Sequence, residues 1–344
     1  MIGHVLNLIR WEWFKLRRRW MPWILLAIMV LLSQLFIWGS FFSYRNQVQS
    51  GGEFYLSSGI PGEQGIRISC SDLLAGRTPD LPAGIDPGVL EQWRQGCSRP
   101  SVERQNQLRE TYSGFTLPGS IPNALGMAGG MGLFLIAILT ASTLGTEFGW
   151  GTLRTVLVGG AGRWQYLTAK LVLISLLAGA ALAVVTAATL VGSAAAGALA
   201  ASPPAGTPGP LGWNDAIINF GKAWFALLPY MALATCVSIL TASSAAGMAV
   251  ALAYYFAEQI VVAIFINLFA WFQTVADYLL GRNLSAWMTG NQQEAPHRVA
   301  LGTGGGTFPG ELHAFLVLLV YILVLGAIAF RSFQRRDIAG ASGT

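Results

Sequence analysis

Glu258 stands in the stretch "YYFAEQIVV", a carboxylate inside an otherwise uncharged apolar run, with Gln259 beside it. A carboxylate so placed can line a polar path, respond to protonation, or accept hydrogen bonds from a neighbouring helix. A second concentration of polar groups is "TEFGWGTLRTVLVGGAGRWQYLTAK", Thr146 to Lys170. It carries one carboxylate (Glu147), three cations (Arg154, Arg163, Lys170), two tryptophans and five glycines between two long apolar runs. Those residues suit a polar turn that either anchors at a membrane surface or docks on a partner.

Other chemistries lack their residues. His4, His297 and His313 are scattered, and no Ser/His/Asp, H-E-x-x-H or paired-carboxylate arrangement occurs. No G-x-x-x-x-G-K-[ST] phosphate loop is present, and "LGTGGGTFPG" (301–310) lacks the lysine that would make it one. Cys70 and Cys97 share one polar segment and are expected to pair if it lies outside the cell. Cys236 sits in an apolar run as a small buried residue. The Cys70/Cys97 segment holds no histidine, so no metal site is expected. Asn283-Leu284-Ser285 is a glycosylation sequon that three residues produce by chance.

The elements that must position these residues are membrane helices. Of 344 residues, 53% are hydrophobic and 11% charged, against about 25% charged in soluble domains. Several runs of twenty or more residues carry no charge, the mark of a spanning helix. The net charge of +5 is concentrated beside such runs, at Arg17, Arg18 and Arg19 and at Arg331, Arg335 and Arg336. Cations there set orientation, so nucleic acid is not an expected partner. The first apolar run is too long for a signal-peptide core and lacks a small-x-small cleavage site, so it reads as a retained span.

Along the chain, residues 1–19 form an amphipathic helix, with Val5, Leu8, Ile9 and Leu16 near helical spacing and Trp11, Trp13 and Phe14 suited to an interface. The first span covers 20–43. A polar segment, 44–119, follows; Asp86 and Pro87 open a short helix in it and Pro100 breaks the chain before a second. The second span is 120–145 and the polar turn 146–165. Spans three to five occupy 166–272: about Leu167–Ala200, Ala223–Leu240 and Ala246–Phe272. "ASPPAGTPGPLG" (201–212) ends the third as one long helix. A loop, 273–311, contains an interfacial or re-entrant segment. The sixth span is 312–330 and the tail 331–344. Near the span ends, eleven cations fall on the side of the termini and three (Lys222, Arg282, Arg298) on the other, which predicts cytoplasmic termini and a cytoplasmic polar turn. Lys222 could reach toward Glu258, although about 10 Å separates their expected depths.

Within the polar turn, Thr152 fits an N-cap, Leu153, Val156 and Leu157 share one face, and Gly159 and Gly160 stop the helix. Either an interfacial anchor with Trp150, Trp164 and Tyr166 as its belt or a knob for a partner's groove satisfies that pattern.

Glu147, Gly151-Thr152-Leu153-Arg154, Gly160, Arg163 and Ala169-Lys170-Leu171 together resemble the permease subunit of type-2 ABC exporters. "WEWFKLRRRW" resembles that family's elbow helix. The resemblance implies an all-α, six-span permease with an extracytoplasmic insertion between spans one and two. It implies that Glu147, Gly151, Thr152, Leu153, Arg154, Val156, Leu157 and Arg163 form the coupling helix on a separate ATPase subunit. That subunit would bind ATP and magnesium, and a second permease would complete a homodimer or heterodimer. This chain would bind no cofactor itself and would be no enzyme. The expected setting is a prokaryotic plasma membrane, with lipid around the spans and a hydrophobic or amphipathic substrate exported by alternating access. Two other functions remain open: a membrane anchor for an ATPase or external partner, and an ion-coupled secondary transporter, for which no internal repeat is visible.

Overall fold

A computed structural model of the full chain describes residues 2–49, 53–56, 66–69, 76, 88, 91, 94, 102–149, 162–200, 203–204, 213–266, 268–289 and 309–335. Ten helices and two short strands carry the description: α1 Ile2–Arg17, α2 Trp20–Gln49, β1 Glu53–Leu56, β2 Ile66–Ser69, α3 Val102–Phe115, α4 Ser120–Gly149, α5 Arg163–Leu199, α6 Trp213–Thr241, α7 Ser244–Phe265, α8 Ala270–Ala276, α9 Leu280–Thr289 and α10 Glu311–Arg335. Six of them, α2, α4, α5, α6, α7 and α10, are long and apolar enough to cross a membrane. The protein is an all-α polytopic membrane protein, with the amphipathic α1 ahead of its first span.

The spans run past their expected ends where polar residues can still complete a helix. α2 continues to Gln49 and α4 to Gly149, so Glu147 belongs to the helix and not to the turn. α5 is one helix of 37 residues, about 55 Å at 1.5 Å per residue and longer than a bilayer core requires. α7 stops sooner than the expected Phe272. Its 22 residues already span about 33 Å, and Phe269 is extended (φ −132°, ψ 114°) before the short α8 begins.

The chain divides into two compact units. One comprises residues 1–31, 124–186 and 213–344. Small residues set its spacing: Ala137, Ala141, Ala234 and Ala251 form one buried cluster between α4, α6 and α7, as expected where lipid-embedded helices approach closely. Gly145 faces the backbone of Ser244 so tightly that any Cβ would collide with it. α6 turns into α7 through Ala242, whose φ of 52° ends α6, and Ser243, whose side chain accepts the Ala246 N–H. Next to Gly145 on α4, Leu144 packs with Tyr166, Leu167, Cys236, Ile239, Ala329 and Phe333.

The second unit comprises residues 32–123 and 187–212. Ile37, Phe41 and Tyr44 recur at helical spacing on α2 and bury against Phe115 of α3 and Ala196 of α5. The Phe41 and Phe115 rings meet edge to face at 5.6 Å. Gln34 satisfies its amide by donating to the Ala188 carbonyl at 2.8 Å. β1 and β2 form an antiparallel pair in register Glu53↔Ser69 to Leu56↔Ile66, an addition to the helices the sequence predicts in 44–119. Cys70, Cys97, Asp86 and Pro87 lie outside the described residues; of the short helix expected after Pro87, Gly88, Glu91 and Arg94 are described and helical, with Arg94 Nη1 3.8 Å from Glu91 Oε2.

Candidate functional site: two buried polar clusters

The first cluster joins three helices at the ends of α4 and α5. Lys170, about two turns into α5, is 1% exposed. Its ammonium donates to Tyr166 Oη at 2.7 Å and to the Thr143 carbonyl at 3.2 Å. It also forms ion pairs with Glu147 Oε2 at 2.6 Å and Glu12 Oε2 at 3.4 Å. The two hydrogen bonds are directed; the Glu147 contact is ionic in character. Lys15 closes the arrangement from α1, 2.8 Å from Glu12 Oε1 and 3.7 Å from Glu147 Oε1. Two carboxylates thus alternate with two ammoniums, and the net charge is zero. Glu12 is buried, which alone would push its carboxyl up. Lys170 and Lys15 outweigh that and hold it below the ordinary carboxylate value.

Neighbouring contacts fix the same helix ends. Arg19 Nη1 donates to Thr146 Oγ1 at 3.3 Å, and Arg163 Nη1 donates to the Gln334 carbonyl in the last turn of α10 at 2.6 Å. Gly162 N–H donates to Gln165 Oε1, half of a capping box at the start of α5. Trp164 lies 4.1 Å from Phe330 between ring centroids. Of the residues expected in the polar turn, Glu147 and Arg163 are therefore at its two flanks, each tied to another helix. Gly151, Thr152, Leu153, Arg154, Val156, Leu157 and Gly160 lie outside the described residues.

Glu12, Lys15 and Lys170 are the residues that the sequence reading did not single out as a site. Signals existed: Glu12 is the lone acid in the basic lead-in, and Lys170 interrupts an apolar run. Neither signal tells which partner each would meet.

The second cluster surrounds Glu258. Its Oε2 accepts the Gly281 N–H and its Oε1 the Arg282 N–H, each at 2.9 Å. Those are first-turn donors of α9, so the carboxylate caps a helix other than its own. The absence of a Cβ at Gly281 permits the approach, since one there would lie 3.0 Å from Glu258 Oε1 and 3.3 Å from the Gln259 amide nitrogen. Arg282 pairs with Asp277 at 3.2 Å. Asn283 donates to the Asp277 and Leu279 carbonyls at 2.7 Å and is fully buried, so its sequon is no glycan acceptor in this fold. His313 and Tyr321 of α10 bond the Asp277 and Tyr278 carbonyls. Lys222 does not pair with Glu258. It pairs with Glu311 in the first turn of α10, because α6 and α10 pack side by side there, and its ammonium sits over the Trp287 ring.

The arrangement offers no reacting pair around a shared void, and among the described residues no group of three or more His, Cys, Asp or Glu could hold a metal. What it offers is mechanical: one buried charge cluster fastening α1 to α4 and α5, and one carboxylate fastening α9 to α7. Comparison with curated proteins finds no match. The profile of the ABC-2 family transporter proteins matches residues 6–338, nearly the whole chain. The chain belongs to that family, as the membrane-spanning permease subunit of an ABC-2 type transporter.

Proposed function

We propose that this permease exports a hydrophobic or amphipathic substrate, driven by a separate ATPase subunit that docks on residues 151–163. The observation that carries the reading is the buried Glu12–Lys15–Glu147–Lys170 cluster. It ties α1 to both helices flanking that segment, so a push on the segment moves α1, α4 and α5 together and is not absorbed by a loose turn. Leu153, Val156 and Leu157 supply an apolar face and Arg154 a charge for the partner's groove. ATP and magnesium belong to the partner, and a second permease, identical or related, completes the transporter. The termini and docking segment face the cytoplasm of a prokaryotic cell, and Cys70 and Cys97 pair on the far side.

The test is co-purification in mild detergent of the native chain and of Leu153→Asp/Arg154→Glu. An ATPase retained by the native chain and lost from the variant supports the docking segment. Its presence with both, or with neither, removes the proposal. Uptake of an amphipathic dye by inside-out vesicles, dependent on ATP, then separates an exporter from a membrane anchor.

A further inference from the structure

A half-open groove of about 280 Å³ runs along the first unit, between α1, the start of α2, α4 and α5. Small side chains open it: Ala128 and Gly132 on α4, Ala178 and Ala181 on α5. Its walls are otherwise apolar, and the one charged side chain on them is Arg17, at the end where Trp13 and Trp23 also sit. Trp23 Nε1 donates to the Arg17 carbonyl at 3.0 Å, which pins an indole at that end. Met29 lines the groove deeper, six residues beyond Trp23 and therefore about 9 Å further along the helix axis.

This geometry is amphipathic along its length. A water in the deep part would lack the two to four polar partners it needs, and an empty slot would forfeit dispersion contacts on every wall. A hydrocarbon chain supplies those contacts. At the mouth, Arg17 is exposed, a cation beside interface-seeking indoles, and a cation at that level attracts anionic headgroups. We infer that the groove holds one acyl chain of an anionic phospholipid, drawn from the leaflet along which α1 lies, with its phosphate on Arg17. This does not depend on how residues 151–163 are used.

Native mass spectrometry of the delipidated full chain in detergent tests it, with phosphatidylglycerol and phosphatidylcholine titrated in parallel. The native protein should bind phosphatidylglycerol about fivefold more tightly, the effect of one surface cation on an anionic lipid. Arg17→Gln should bring the two lipids to parity, and Arg17→Lys should restore most of the difference. Ala181→Phe should abolish binding of both lipids by filling the slot. Circular dichroism checks that this variant retains its helices; if it does not, the exposed Arg17 series alone decides. Equal binding by the native chain, an unchanged preference in Arg17→Gln, or undiminished binding by a folded Ala181→Phe overturns the inference.

Discussion

At the scale of single residues, Lys170 carries the largest electrostatic responsibility in the described chain. Its ammonium has three N–H donors and 1% exposure, and two carboxylates, a tyrosine hydroxyl and a backbone carbonyl converge on it. Replacing it with methionine keeps the apolar stem but leaves Glu12 and Glu147 buried with only Lys15 between them. Losing one partner of a buried pair costs about 3–5 kcal/mol, so Lys170→Met should lower the melting temperature in detergent markedly. Lys15, 41% exposed, should cost about 1 kcal/mol or less on truncation. Adding Glu147→Gln to Lys170→Met should recover part of the loss, and strict additivity of the two substitutions would show that the pair is not coupled. Glu12 adds a pH dependence. Burial raises its carboxyl and the lysines more than compensate, leaving it below the ordinary 4.5. Between the depressed folded value and the unfolded one, the unfolded chain binds more protons. The stabilisation is therefore complete above 4.5 and is lost as pH falls through the folded value. Melting curves from about pH 6 to about pH 3 should fall more steeply for the native chain than for Glu12→Gln; coincident profiles would contradict the assignment.

At the scale of elements, the spans were legible because membrane helices announce themselves through long uncharged runs, and all six fall where those runs lie. Their ends were less so. Hydropathy does not register that α4 continues through Glu147, since a carboxylate with a buried partner ends a hydrophobic window without ending a helix. The Glu12–Lys170 contact was illegible for a simpler reason: the two residues are 158 positions apart in chain, and no local spacing relates them. Glu258 was conspicuous as a residue, but its partners are backbone N–H groups of α9, and a backbone donor leaves no sequence signal beyond the glycine at 281. That capping makes a prediction about an element. Glu258→Ala removes both acceptors from the first turn of a ten-residue helix, and hydrogen bonds to a charged group contribute about 1.5–3 kcal/mol each. Hydrogen exchange of the α9 amides should accelerate at least tenfold in the variant, while α6 exchanges as before. Unchanged protection across α9 would mean that its contacts with α6 and α10 suffice without the cap.

At the scale of the whole molecule, charge is distributed unequally between the two ends of the first unit's helices. At the end shared by α1, α4, α5 and α10, Arg10, Arg17, Arg18, Arg331 and Arg335 are exposed, and Arg163 reaches across to the last turn of α10. At the opposite end, Lys222 is paired with Glu311 and Arg282 with Asp277. Translocation responds to the Lys and Arg near span ends, and cytoplasmic loops carry the excess of them. The positive-inside count made from the sequence proposes the first of these ends as the cytoplasmic one. Labelling of intact cells with a membrane-impermeant maleimide tests the resulting orientation, in a Cys70→Ser/Cys97→Ser background where Cys236 is buried. Ser58→Cys, between the first two spans, should react in intact cells. Ser342→Cys, in the tail, should react only after the membrane is opened. The reverse pattern would place residues 151–163 outside, where no ATP-driven subunit could reach them, and would remove the docking proposal along with the orientation.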